Sequence, residues 1–154
     1  MFLQKEDLKN NIYNYQIEQI TEGDDGIVLQ ALASAEIELK SYLQGNHKKE
    51  YLDGRLRYDV EAILSKTGDE RNALLVSHGI AIAKWYIIDL CNVDILYEQA
   101  KERYDRAVMW LKQLAKGEVN LSDLPILKDD ADNEDENTVQ PFIYGSRPKF
   151  NHEA

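Results

Sequence analysis

Apolar side chains crowd most densely between positions 67 and 91, TGDERNALLVSHGIAIAKWYIIDLC. Leu74, Ala81, Trp85 and Ile88 recur at helical spacings, while Leu75, Ile82, Ile87 and Leu90 widen the stripe, so the pattern predicts a helix buried on most of its sides. Thr67 and Glu70 stand three apart ahead of the run, the spacing of a reciprocal side-chain cap, which puts the expected helix start at Thr67. At 1.5 Å per residue such an element is roughly 35 Å long, so other helices have to pack around it. Each Leu, Ile or Trp fully buried along it contributes roughly 1.5–3 kcal/mol.

The rest of the chain supplies those partners. Leu8 and Ile12 predict a short helix over 3–12, and Tyr13, Tyr15, Ile17 and Ile20 a further turn or two that lays aromatic rings on the core. Residues 22–26 read as a break, with Gly23 permissive and Asp24 or Asp25 able to cap the next helix. Val28, Ala31, Leu32, Ala35, Leu39, Tyr42 and Leu43 then keep a helical period, with Gly45 placed to end the helix in a left-handed cap. Residues 46–66 are the least periodic and read as a long surface loop, with one or two helical turns over 58–64 that point Val60, Ile63 and Leu64 inward. Asn92 and Asp94 offer caps for a helix over 95–116, whose inward side is Ala100, Tyr104, Ala107, Val108, Leu111 and Leu114. Its other side, Glu98, Lys101, Glu102, Arg103, Asp105 and Arg106, is charged, and Gly117 stops it. The expected fold is therefore all-α, a compact bundle of about four to five helices.

Beyond a short apolar patch at 121–127 the character changes. The run KDDADNEDE at 128–136 is nearly all acid and amide and cannot build a core, so 128–139 is expected to be a flexible acidic linker. The stretch PFIYGSRPKFNHE beyond it interleaves aromatic residues with Pro141, Pro148, Gly145, Arg147 and Lys149. An apolar, slightly basic arm over 140–154 on an acidic tether is expected either to dock on another surface or to fold back on its own helices. The expected division is a helical domain at 1–127, the linker, and the arm.

Composition narrows the function. A chain of 154 residues fits one domain with a real core. The net charge of −10 repels phosphates, so tight nucleic-acid binding is not expected. His47, Lys48 and Lys49, and later Arg55 and Arg57, are read as solvated loop charges and not as a phosphate site. His78 and Lys84 interrupt the best apolar run, so no membrane span is expected, and the opening MFLQKEDLK does not resemble a secretory signal. The single cysteine, Cys91, is expected to be a small core residue.

Candidate chemistry is sparse. The three histidines are far apart and make no local ligand pair, and there is neither a glycine-rich phosphate loop nor a nucleophile elbow. Ser77 and His78 are adjacent on a helix, where their side chains diverge by about 100° and cannot act as nucleophile and base. His78 is expected to be a core histidine bonded to a carbonyl or water. Asp24 with Asp25, and Asp129 with Asp130, are sequence neighbours that lack the convergence a carboxylate dyad requires. No catalytic residue, metal site or cofactor is expected, and the chain is not expected to be an enzyme.

Five stretches in order, MFLQKEDL, SKTGDERNALL, IAKWYIIDLCN, RYDRAVMWLK and YGSRPKFNH, resemble a family of Mu-like bacteriophage and prophage proteins over nearly the whole chain. The departures are the longer stretch at 44–66 and the strongly acidic 128–136. The resemblance implies a small all-helical head–tail connector or head-completion protein that assembles as a ring beneath the phage portal, a dodecamer by analogy. The portal and tail-completion proteins would be its partners, with the cytoplasm of the bacterial host and then the virion as its location. It brings no catalytic residues. A ring multiplies the negative charge, which would let DNA pass through without sticking. The expected interface residues are Phe142, Ile143, Tyr144, Arg147, Pro148 and Phe150, with the loop at 46–57 as a second contact. The alternative is a small helical regulatory or ligand-binding protein with Trp85, His78 and Tyr86 around a pocket.

Overall fold

The structure, a computed structural model, describes residues 1–10, 14–47, 55–91 and 97–127. The expected linker at 128–139 and arm at 140–154 lie outside them. Among the described residues five α-helices form: α1 Asn14–Thr21, α2 Asp25–Leu43, α3 Val60–Leu64, α4 Ala73–Cys91 and α5 Tyr97–Ala115. Three 3-10 turns, Lys5–Asn10, Gln44–His47 and Gly68–Glu70, join them. The fold is all-α, as the periodicities predict, and among the described residues the only β pairing is an isolated bridge between Tyr58 and Ile126.

The core lies where α4 packs between α2 and α5. From α2 it takes Val28, Ala31, Leu32, Ala35, Leu39 and Leu43, from α5 Ala107, Leu111 and Leu114, and from α4 Leu75, Ile80, Ile82, Ala83 and Ile87. At 19 residues α4 is about 28 Å long. Contrary to the expectation from its interrupted sequence, α4 is long and apolar enough by length and composition to cross a membrane. Here its apolar sides are taken up largely by α2 and α5, although Leu74 and Leu90 near its two ends stay exposed.

The start of α4 corrects the expected cap. Thr67 makes no side-chain cap and introduces a 3-10 turn, while Asn72 Oδ1 accepts from the backbone N–H groups of Leu74 and Leu75. The freed segment 67–71 instead brings Arg71 onto the N-terminus. Its guanidinium donates to both Asp7 carboxylate oxygens at 2.7 and 2.9 Å and to the Phe2 carbonyl at 2.7 Å. Glu36 Oε2 of α2 accepts from the N–H groups of Phe2 and Leu3. With its backbone held on both sides, Phe2–Leu3 drops two fully buried side chains into the core. Gly79 makes room for Leu3: a Cβ there would stand 2.7 Å from Leu3 Cδ2.

Other expectations fare unequally. Asp24 caps α2 by accepting from Gly26 N–H at 2.8 Å, after a turn in which Glu22 and Gly23 adopt positive φ. Gly45 is not a left-handed cap. Gln44 continues the right-handed path into a 3-10 turn, and Gly45 instead lets Ala115 approach, its missing Cβ 3.1 Å from that of Ala115. Gly117 does end α5, at φ +78°, with Glu118 N–H on Gln113 O and Gly117 N–H on Leu114 O, a Schellman closure.

The helical turn expected within 58–64 forms as α3, with Glu61, Ser65 and Lys66 exposed, but its entry is more deeply buried than a surface loop. Tyr58 is fully buried, its hydroxyl accepts from Leu121 N–H, and Val60 and Ile63 enter the core. Asp59 N–H bonds Pro125 O and Leu127 N–H bonds Arg57 O, so 121–127 is stitched to the entry of α3. Arg55, expected to be solvated, is half-buried and donates to the last-turn carbonyl of Ala115 at 2.9 Å, where it complements the helix dipole.

Candidate assembly interface

Helix α2 turns two apolar faces outward from its axis. Its six buried residues face α4 and α5; Leu29, Ala33 and Ile37 recur every four residues along a different side. Leu29 is 51% and Ile37 69% exposed. Glu36 and Lys40 flank that stripe and carry it toward α3, where Lys40 Nζ meets Glu61 Oε1 at 2.6 Å. Met1, 61% exposed, stands over the stripe because Glu36 and Arg71 hold Phe2 beside it. The result is a groove of about 490 Å³ between α2 and α3, bounded by Met1, Ala33, Ile37 and Leu64 with Glu36, Lys40, Glu61 and Ser65 along its sides. Its chemistry is an apolar floor between carboxylates. It holds no arrangement for bond making.

The opposite side of α2 carries a polar cluster. The Glu38 carboxylate accepts from Tyr86 at 2.7 Å, Tyr104 at 2.9 Å and, weakly, Tyr42 at 3.5 Å. Burial, reinforced by the Glu38 charge, pushes Tyr86 up to about 12 and Tyr104 upward as well. Trp85 packs on Tyr97 and Tyr104, with ring centroids 5.1 and 5.6 Å apart. This cluster ties α2 to α4 and α5 and leaves the tyrosines as donors, not as reactive phenolates.

His78 and Lys84 are the unsatisfied groups of α4. His78 stacks on Trp110 at 4.6 Å, and its buried Nε2 has no protein partner among the described residues; burial holds its pKa below the ordinary value. Lys84 is buried with no partner for its ammonium among the described residues, and burial, helped by Arg103, draws its pKa down to about 8. Trp85, His78 and Tyr86 do not line the cavities beside α2, α3 or the start of α4, so the pocket of the ligand-binding alternative is not formed there. Among the described residues no group of His, Cys, Asp and Glu is placed to hold a metal ion. Cys91 is half-buried against the core, its thiol pushed up by burial.

Phe142, Ile143, Tyr144, Arg147, Pro148 and Phe150, the residues expected at an interface, lie outside the described residues, as does most of the loop at 46–57. The groove was not anticipated. Leu29, Ala33 and Ile37 are visible in the sequence at four-residue spacing, but beside the stronger stripe of α2 they read as filler. Met1 and Leu64 join them only through the N-terminal clasp and the placement of α3.

Comparison with the curated proteins and with the solved structures gives no match. A family model described as bacteriophage Mu, Gp36 matches residues 2–141, a span that includes the five described helices and every groove residue but Met1. The chain belongs to the bacteriophage Mu Gp36 family.

Proposed function

We propose that this chain is a structural protein of phage morphogenesis, a head–tail connector that assembles as a ring beneath the portal. The observation that carries the reading is the second apolar face of α2, which stands in water on a domain whose core is already complete without it. Contiguous apolar surface of that kind marks an interaction site. Family membership supplies the phage context. Identical subunits that present two different patches close into a ring when the rotation per subunit permits. The groove is one patch, and the aromatic arm over 140–154 is the other. The net charge of −10 suits a channel that DNA traverses without adhering. In this reading the chain catalyses nothing and needs no cofactor. Its partners are the portal, the tail-completion proteins and further copies of itself, first in the host cytoplasm and then in the virion.

The test is to mix the purified chain with the portal protein of the same phage and image the mixture by electron microscopy. Rings stacked on the portal are the expected result. A portal that is itself an intact ring but carries no added layer would overturn the reading in favour of a regulatory protein.

A further inference from the structure

We propose that the groove between α2 and α3 receives residues 142–150 of a neighbouring copy, so that each subunit's arm closes the ring on the next. This inference rests on the connector reading. Three observations select that occupant. The first is chemical match. The groove sets Met1, Ile37 and Leu64 beside Glu36 and the Lys40–Glu61 ion pair, so its rim carries two carboxylates against one ammonium. The segment sets Phe142, Ile143, Tyr144 and Phe150 around Arg147 and Lys149. Aromatic anchors fill an apolar floor, and a guanidinium forks onto a carboxylate. Pro148 keeps the segment out of a helix interior, which suits a narrow groove.

The second observation is where the described chain ends. Leu127 N–H bonds Arg57 O, three positions ahead of α3, so each arm departs from the edge of the element that lines its own groove. Residues 128–141 span at most roughly 50 Å when extended. That exceeds the roughly 30 Å diameter of a small domain, which allows a reach between neighbouring copies.

The third observation selects the neighbour over the chain's own groove. Asp129, Asp130, Asp132, Glu134, Asp135 and Glu136 crowd the tether. A run of that composition repels itself and extends, which favours a span between subunits over doubling back onto its own groove. Groove and arm are then the two unlike patches of a head-to-tail contact.

The experiment uses the full chain with Cys91→Ser, in two populations, one with Ile37→Cys and one with Tyr144→Cys, assembled together on the portal protein and oxidised. The expected result is a disulfide joining the two populations. Rings that form without that cross-link overturn the groove assignment and leave the connector reading standing. In a third chain that carries Ile37→Cys and Tyr144→Cys together, a cross-link confined to single chains likewise overturns docking on a neighbour. If the unsubstituted chain makes no rings, the connector reading itself fails. As a second measurement, Ile37→Arg should lower ring yield about tenfold, the equivalent of one modest hot-spot contact. Leu90→Arg, on a comparably exposed residue of α4, should leave the yield unchanged. Both variants should keep the melting temperature of the parent, and undiminished assembly of Ile37→Arg overturns the proposal.

Discussion

Helices α2 and α5 are both 19 residues long and both press one face into the same core, yet they meet water differently. Outside α5, Glu98, Lys101, Glu102, Arg103, Asp105 and Arg106 present a charged surface, with Arg106 on Glu102 at 2.8 Å one turn away and Met109 as its large exposed aliphatic. That surface is finished; a lone exposed Met on it is ordinary. Outside α2, Ala33 and Ile37 are joined by Met1 and Leu64 into one groove, with Leu29 exposed one turn before Ala33 on the same side. Folding does not require that grouping, because α2 already buries six residues on its inner face. Its outer face is therefore the part of the domain explained by what it touches.

Substitutions sharpen this contrast, beginning with the inner face. Leu39→Ala, at a fully buried site on α2, should cost about 2–5 kcal/mol in urea unfolding, and Leu111→Ala on α5 about the same. Arg71→Ala should cost about 3 kcal/mol, since it strands the nearly buried Asp7 carboxylate and frees the segment that positions Met1. The Arg71 hydrogen bonds hold Asp7 below the usual carboxylate range. Its folded pKa is depressed, so this contribution is present above the unfolded value, near 4, and is lost as pH falls through the lower folded value. Stability measured down to pH 2 should therefore fall more steeply in the parent than in the Arg71→Ala chain.

Lys84→Met should raise stability by about 1–3 kcal/mol at pH 7, because it removes a buried cation without a partner. Burial lowers the Lys84 pKa to about 8, so the parent should gain stability as pH rises from there toward the ordinary lysine value, a gain the variant lacks. The smallest effect belongs to the outer face: Ile37→Ser should leave unfolding within about 0.5 kcal/mol of the parent, as for exposed sites generally. A large loss there would mean that the face serves the fold after all.

Legibility in the sequence was a matter of range. The inward stripes of α2 and α5 and the Schellman closure at Gly117 are set by residues three to seven apart, and they read correctly. The Thr67 cap and the Gly45 terminus obeyed the same local rules and failed because distant partners won. Arg71 was drawn to Phe2 and Asp7, more than sixty positions away, and Ala115 of α5 was drawn against Gly45. Arg55 looked solvated because its acceptor, the Ala115 carbonyl, is sixty positions on. The all-α fold and the family were legible; the groove was not, because Met1, Ile37 and Leu64 share a surface only after the N-terminal clasp and α3 are in place.

The two methionines of the chain offer the most direct test of the outer face of α2 as the assembly surface. Met1 borders the groove at 61% exposure, and Met109 sits on α5 at 58%. Brief peroxide oxidation, read by mass spectrometry, should modify both at similar rates in the free chain. In the assembly formed on the portal, Met1 should be protected while Met109 stays reactive. Equal reactivity of the two in the assembly, or protection of Met109 alone, would contradict an assembly surface on α2.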